Sequence, residues 1–137
     1  MVNKVANKKN STQKLTPKDH EIVNIFTDLG VPKNLAKTLL FISQVEECRS
    51  ADIEKGAGLR QPEVSIAMQE LSDRGWIAKR NQKKEGKGRP IYIYSLQTPL
   101  STIMEHVEEE KTKEIHTIQQ DLEELKTLLG KREDFNK

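Results

Sequence analysis

Side-chain catalysis needs a nucleophile beside a base, a pair of carboxylates, or metal ligands at short fixed spacing. The sequence supplies none of these patterns. His20, His106 and His116 stand far apart with no cysteine or paired carboxylate at ligand spacing, and neither a phosphate-cradling glycine loop nor a nucleophile motif is present. The chain is therefore expected to be no enzyme and to need no cofactor or metal. Glu105, His106 and Glu109 read as a solvated helix face, not as a metal site. Cys48, the sole cysteine, has no partner for a disulfide or a redox pair, and reads as a buried or incidental thiol.

The spacing does offer phosphate and base chemistry. Lys79, Arg80, Lys83, Lys84, Lys87 and Arg89 fall within eleven residues whose one acid is Glu85, and Gly86 and Gly88 lie among them. A glycine-jointed tip of this charge can follow a phosphate ridge, releasing condensed counterions, and can place Arg89 in a narrow minor groove. Upstream, Val64, Met68 and Leu71 share one helical face, which turns Gln61, Pro62, Ser65, Ile66 and Gln69 outward. Gln pairs bidentately with adenine, Ser serves phosphate or base, Ile66 suits a thymine methyl, and Arg60 at the helix start is available for guanine. Glu63 either accepts from cytosine N4 or stabilises the helix N-terminus.

These groups need elements to hold them. Thr16 and Pro17 open a first helix, with Thr16 as cap and Asp19 at the positive end of the dipole. Its expected inner face is Ile22, Ile25, Phe26 and Leu29, and Gly30 its stop. Pro32 starts a second helix running to about Val45 with Leu35, Ala36, Leu39, Leu40 and Ile42 buried. Ser50 is expected to cap a short third helix over 51–57 that turns inward at Ile53 and stops at Gly58. A fourth begins at Pro62 and stops before Gly75. The runs 76–80 and 91–96 are β-prone and form a hairpin with a long polar tip. From Leu100 to Leu129 no Gly or Pro interrupts a charged helix, a rod of roughly 45 Å.

Composition bounds what these elements can build. The 137 residues fit one domain plus an appendage, and with 32% charged, 34% hydrophobic and 4% aromatic residues the core must be small. No window approaches the roughly 18 apolar residues of a membrane helix, and the N-terminus lacks the apolar run of a signal peptide, so a cytoplasmic protein with no membrane partner is expected. The net charge of +2 hides an asymmetry: residues 1–99 carry 17 Lys and Arg against 11 acids, residues 100–137 only 6 against 10. A basic front points to a polyanion.

The expected fold is mainly α with a small β-hairpin, a winged helix-turn-helix followed by a long C-terminal dimerisation helix. Residues 1–15 read as a disordered basic arm, 16–98 as the DNA-binding domain, 99–130 as the dimerising helix and 131–137 as a flexible tail. Ile115, Ile118, Leu122, Leu125 and Leu129 keep the alternating three-and-four spacing of a coiled-coil seam. Two heptads hold a helix pair poorly, so Leu100, Ile103 and Val107, packed against the first helix, are expected to add to the dimer.

Leu29-Gly30-Val31-Pro32, Ser50-Ala51-Asp52-Ile53, Gln61-Pro62-Glu63-Val64-Ser65, Arg74-Gly75-Trp76-Ile77 and Gly88-Arg89-Pro90 together resemble archaeal and other prokaryotic winged-helix regulators of the TrmB, ArsR and MarR kinds. The likeness covers about residues 16–96 and is strongest to small TrmB-type proteins. It implies a dimeric transcription factor with its fourth helix in the major groove and its wing beside it. The cysteine pair of metal-sensing ArsR relatives is missing, and no sugar-binding effector domain follows. The expectation is a homodimeric, sequence-specific binder of double-stranded DNA on a palindromic operator, its effector undefined. A winged-helix protein-docking module and a sequence-tolerant chromatin protein are the alternatives.

Overall fold

A computed structural model of the chain describes residues 13–82 and 90–131. Helix α1 spans Pro17–Asp28, α2 Lys33–Ser43, α3 Ser50–Ala57 and α4 Gln61–Asp73. Strands β1, Ile77–Gln82, and β2, Ile91–Leu96, follow, and α5, Leu100–Gly130, closes the order. The chain divides into two compact units at 1–100 and 101–137.

Helix α1 starts where Thr16 and Asp19 satisfy each other's backbone. Thr16 Oγ1 accepts from the Asp19 N–H at 3.2 Å, and Asp19 Oδ2 accepts from the Thr16 N–H at 2.8 Å. Asp19 Oδ1 also accepts from Gln44 Nε2 at 2.8 Å, tying the start of α1 to the end of α2. That tie corrects the expected inner face. Asp19, Val23 and Phe26 are buried, while Ile22, Ile25 and Leu29 are 36%, 57% and 45% exposed. Apolar residues occupy two neighbouring stripes of this helix, and the anchored carboxylate decides which one turns inward. Val23 and Phe26 pack with Ala36 and Leu40 of α2, and Val31 of the connecting turn joins them.

Helix α2 is apolar almost all round, with Leu35, Ala36, Thr38, Leu39, Leu40, Phe41 and Ile42 buried, as befits the central element. It touches α1, α3, α4 and β2. The N-cap of α3 is Arg49, one residue before the expected Ser50, because the Asp52 carboxylate reaches back to the Arg49 N–H at 2.9 Å. Gly58, at φ +68°, ends α3 in the left-handed region that favours glycine, and three residues later α4 begins. The two helices form the helix-turn-helix.

Strands β1 and β2 pair antiparallel from Ile77 opposite Leu96 to Gln82 opposite Ile91. The sequence reading missed a further pairing. Cys48, between α2 and α3, exchanges both backbone hydrogen bonds with Tyr94, at 3.0 and 2.8 Å, and so supplies a one-residue third strand beside β2.

In the second unit, Ile103 and Val107 are the buried residues of α5. Ile115, Ile118, Leu122 and Leu125 are each 52–57% exposed, and Leu128 is exposed next to half-buried Leu129. Among the described residues no helix is long and apolar enough to cross a membrane. Residues 1–12 of the expected arm at 1–15, and 132–137 of the expected tail at 131–137, lie outside the described residues, while Leu15, expected in the arm, is buried and donates its N–H to Gly56 O at 3.0 Å.

Candidate nucleic-acid interface

Helix α4 has two unlike sides. Val64, Ala67, Met68 and Leu71 are buried. Gln61, Pro62, Ser65, Ile66 and Gln69 are exposed, Ile66 at 71%. At about 100° per residue these five fall within an arc of about 140° opposite the core stripe. An apolar side chain that open, flanked by amides and a hydroxyl, gives the arc both donor–acceptor pairs and a methyl-seeking contact.

At the start of α4, Glu63 takes up the helix N-terminus. Its Oε1 accepts from the Arg60 N–H at 2.9 Å, and its Oε2 lies 3.7 Å from Arg60 Nη2, so the acid caps the helix and pairs with the one arginine at its mouth. Arg60 is otherwise exposed. At the other end, Gln69 Nε2 donates to Asp73 Oδ1 at 3.0 Å, four residues on along the same face.

The hairpin is clamped to the end of α4. Trp76 N–H reaches Leu71 O at 3.1 Å, and the Gln97 and Thr98 side chains donate to Gly75 O at 3.1 and 3.0 Å. Arg74 lies over the Trp76 ring, 4.9 Å from its centroid, and bonds Glu70 at 3.2 Å. The base of the hairpin thus moves with the helix that carries the exposed arc.

Lys79 and Arg80 leave β1 on alternate faces. Lys79 Nζ sits over the Tyr92 ring, 4.3 Å from its centroid, a contact that keeps its charge outward. Arg80 Nη2 lies 3.0 Å from both oxygens of Glu47, in the connection between α2 and α3. Two residues further along each segment, Arg49 Nη2 donates to Gln82 Oε1 at 3.3 Å. Sequence reasoning missed Glu47, Arg49 and Asp73. An i, i+4 pairing on α4 could have indicated Asp73, but the other two act across 33 residues and left no local signal. Lys83, Lys84, Lys87 and Arg89 lie outside the described residues.

Cys48 is buried, and its thiol is pushed up to about 12, first by burial and then by the Asp52 charge. Tyr94, its bridge partner, is raised for the same leading reason, with smaller contributions from Tyr92 and Cys48. Among the described residues no three His, Cys, Asp or Glu side chains are placed to hold a metal ion.

No protein-family model and no curated protein matches the sequence. Solved structures do resemble it. A possible transcriptional regulator from Methanosarcina mazei Go1 superposes with a TM-score of 0.58 at 18% identity, covering 77% of this chain and 87% of that one. NMB1585, a MarR family regulator from Neisseria meningitidis, gives 0.42 at 20% identity over 88% and 94%. NadR in complex with 4-hydroxyphenylacetate gives 0.47 at 16% identity over 83% and 82%. The likeness to the first of these speaks to the fold alone, which in this chain is a winged helix-turn-helix continued by a long C-terminal helix.

Proposed function

We propose that the chain is a transcriptional regulator of the small TrmB-type kind that binds double-stranded DNA sequence-specifically as a homodimer. In this reading α4 enters the major groove and Gln61, Ser65, Ile66 and Gln69 meet base edges, with Arg60 and Pro62 at the groove mouth. Lys79, Lys83, Lys84 and Lys87 lie on phosphates, Arg80 joins them when Glu47 releases it, and Arg89 enters the minor groove. The observation that carries the reading is the two-sided α4, whose exposed arc joins amides, a hydroxyl and an open Ile66 on a helix of helix-turn-helix placement. Dimerisation is assigned to α5, whose apolar row at 115, 118, 122 and 125 is exposed in a single chain. In the first unit, Ile22, Ile25 and Leu29 of α1 form a separate exposed apolar row.

The same apolar rows favour one other reading, a module that docks another protein and leaves DNA alone. A salt titration of duplex binding separates the two. Each neutralised phosphate contributes about 0.9 to the slope of log affinity against log salt. Replacing Lys83, Lys84 and Lys87 by Ala should flatten the slope by up to about 5 in a dimer whose six side chains all touch phosphate, and weaken specific and random duplexes alike. An unchanged slope would transfer the assignment to protein docking.

A further inference from the structure

We propose that Asp73 is a positioning residue for base reading, holding the Gln69 amide in the orientation that selects adenine over guanine. The inference rests on the reading above, in which the exposed arc of α4 meets base edges.

Asp73 stands at a place where an acid has two costs. It is the last residue of α4, where a negative charge meets the negative end of the helix dipole. At about 100° per residue it also continues the row Gln61, Ser65, Gln69, on the face turned toward a polyanion. A neutral residue would remove both costs. The interaction that sets against them is the hydrogen bond from Gln69 Nε2 to Asp73 Oδ1, 3.0 Å long.

The chemistry of that bond fixes what Gln69 can read. A primary amide carries two N–H donors on nitrogen and an acceptor on oxygen. A carboxylate beside it accepts from the nitrogen end and repels the oxygen end, so Asp73 settles which way round the amide lies. One N–H is then spent on Asp73. The other N–H and Oε1 remain side by side, the donor and acceptor that match N7 and the N6 amino group of adenine. Guanine presents two acceptors, N7 and O6, and meets the held amide with its oxygen against O6. Freed from Asp73, the amide can turn and spread both N–H groups toward guanine. Holding it also removes rotamer freedom before DNA arrives.

The test uses the full chain and a duplex selected by it from a random pool. Affinities are measured on that duplex, on a set with single A·T to G·C exchanges, and on random duplex. Gln69→Ala identifies the base pair read by Gln69 as the one at which discrimination falls. Asp73→Ala should lower adenine-over-guanine discrimination at that same pair by about 1.5- to 2-fold, the strength of an exposed i, i+4 bond of this kind. The double variant should discriminate no worse than Gln69→Ala, the mark of two residues acting as one. Asp73→Asn keeps an acceptor oxygen and removes the charge. It should tighten all duplexes alike and keep only part of the discrimination, since an Asn amide can also turn its N–H groups toward Gln69 Oε1. If Asp73→Ala tightens every duplex equally with discrimination intact, Asp73 acts only as a charge and the proposal falls while base reading by Gln69 stands. If Gln69→Ala alters no base pair's discrimination, base reading by Gln69 falls, and the proposal with it.

Discussion

Arg80 and Glu47 form an exposed ion pair that bears on the proposed binding of a polyanion. Their side chains are 57% and 52% exposed, and pairs this open contribute about 1 kcal/mol or less. Such a pair is too weak to anchor the hairpin, yet it occupies an arginine that phosphate could use. Glu47→Gln removes the competitor with little change of shape. Binding to random duplex should tighten by about 2- to 5-fold, and the salt slope should steepen by up to about 0.9 per protomer. Fluorescence anisotropy across a salt series reads both quantities. Unchanged binding would remove Arg80 from the phosphate-contacting set. At Arg60 the geometry differs, since Glu63 pairs with its side chain and also caps the helix by accepting from the Arg60 N–H.

At the scale of elements, α3 meets α2 where Gly56 faces the Phe41 ring. A Cβ added at Gly56 would overlap the Phe41 ring, and the Gly56 carbonyl also holds the Leu15 N–H at 3.0 Å. Gly56→Ala should therefore destabilise the first unit by about 1–3 kcal/mol. Gly130→Ala, whose Cβ meets nothing within 4 Å, should change little. Thermal unfolding of the two variants beside the wild type measures the contrast, and equal midpoints would contradict the packing described.

The same elements explain what could be read in the sequence. Helices α2, α4 and α5 were legible because a Pro stands within one residue of each start and no Gly interrupts the run that follows. The hairpin was legible from two β-prone runs around a polar glycine loop. Helix α1 was legible as an element but not as a face, since Ile22, Val23, Ile25, Phe26 and Leu29 fill two adjacent stripes. The Asp19 to Gln44 bond that chooses between them spans 25 residues. Nothing local marks the pairing of Cys48 with Tyr94 either, a single residue joining a sheet across 46 positions of chain. In the candidate interface, the exposed arc of α4 followed directly from its core stripe. The partners that hold its polar groups did not, because side-chain pairing across a fold depends on contacts that periodicity does not encode.

At the scale of the whole molecule, the proposed mode of DNA binding needs two copies. The apolar row of α5 is exposed along about two heptads, and an isolated helix pair of that length is marginal, so α5 of one chain needs a second contact to hold its partner. Ile118→Glu together with Leu122→Glu alters side chains that are 57% and 52% exposed, so the fold of the single chain should survive. Sedimentation should find the wild type dimeric and this variant monomeric. The variant should bind an operator far more weakly, because two linked half-sites share a high effective concentration. A dimeric variant would place the interface elsewhere.

Symmetry then dictates the form of the preferred DNA. In the proposed homodimer, two copies related by a two-fold axis would present two α4 helices to one side of a duplex, with half-site centres one helical turn apart, about 10 base pairs, or a multiple of it. Selection of bound sequences from a random duplex pool by the purified full chain tests this most directly. An enriched inverted repeat, bound about 10³-fold or more tighter than random duplex, is the predicted result. Recovery of no common sequence, with all duplexes bound within a few-fold of one another, would contradict it.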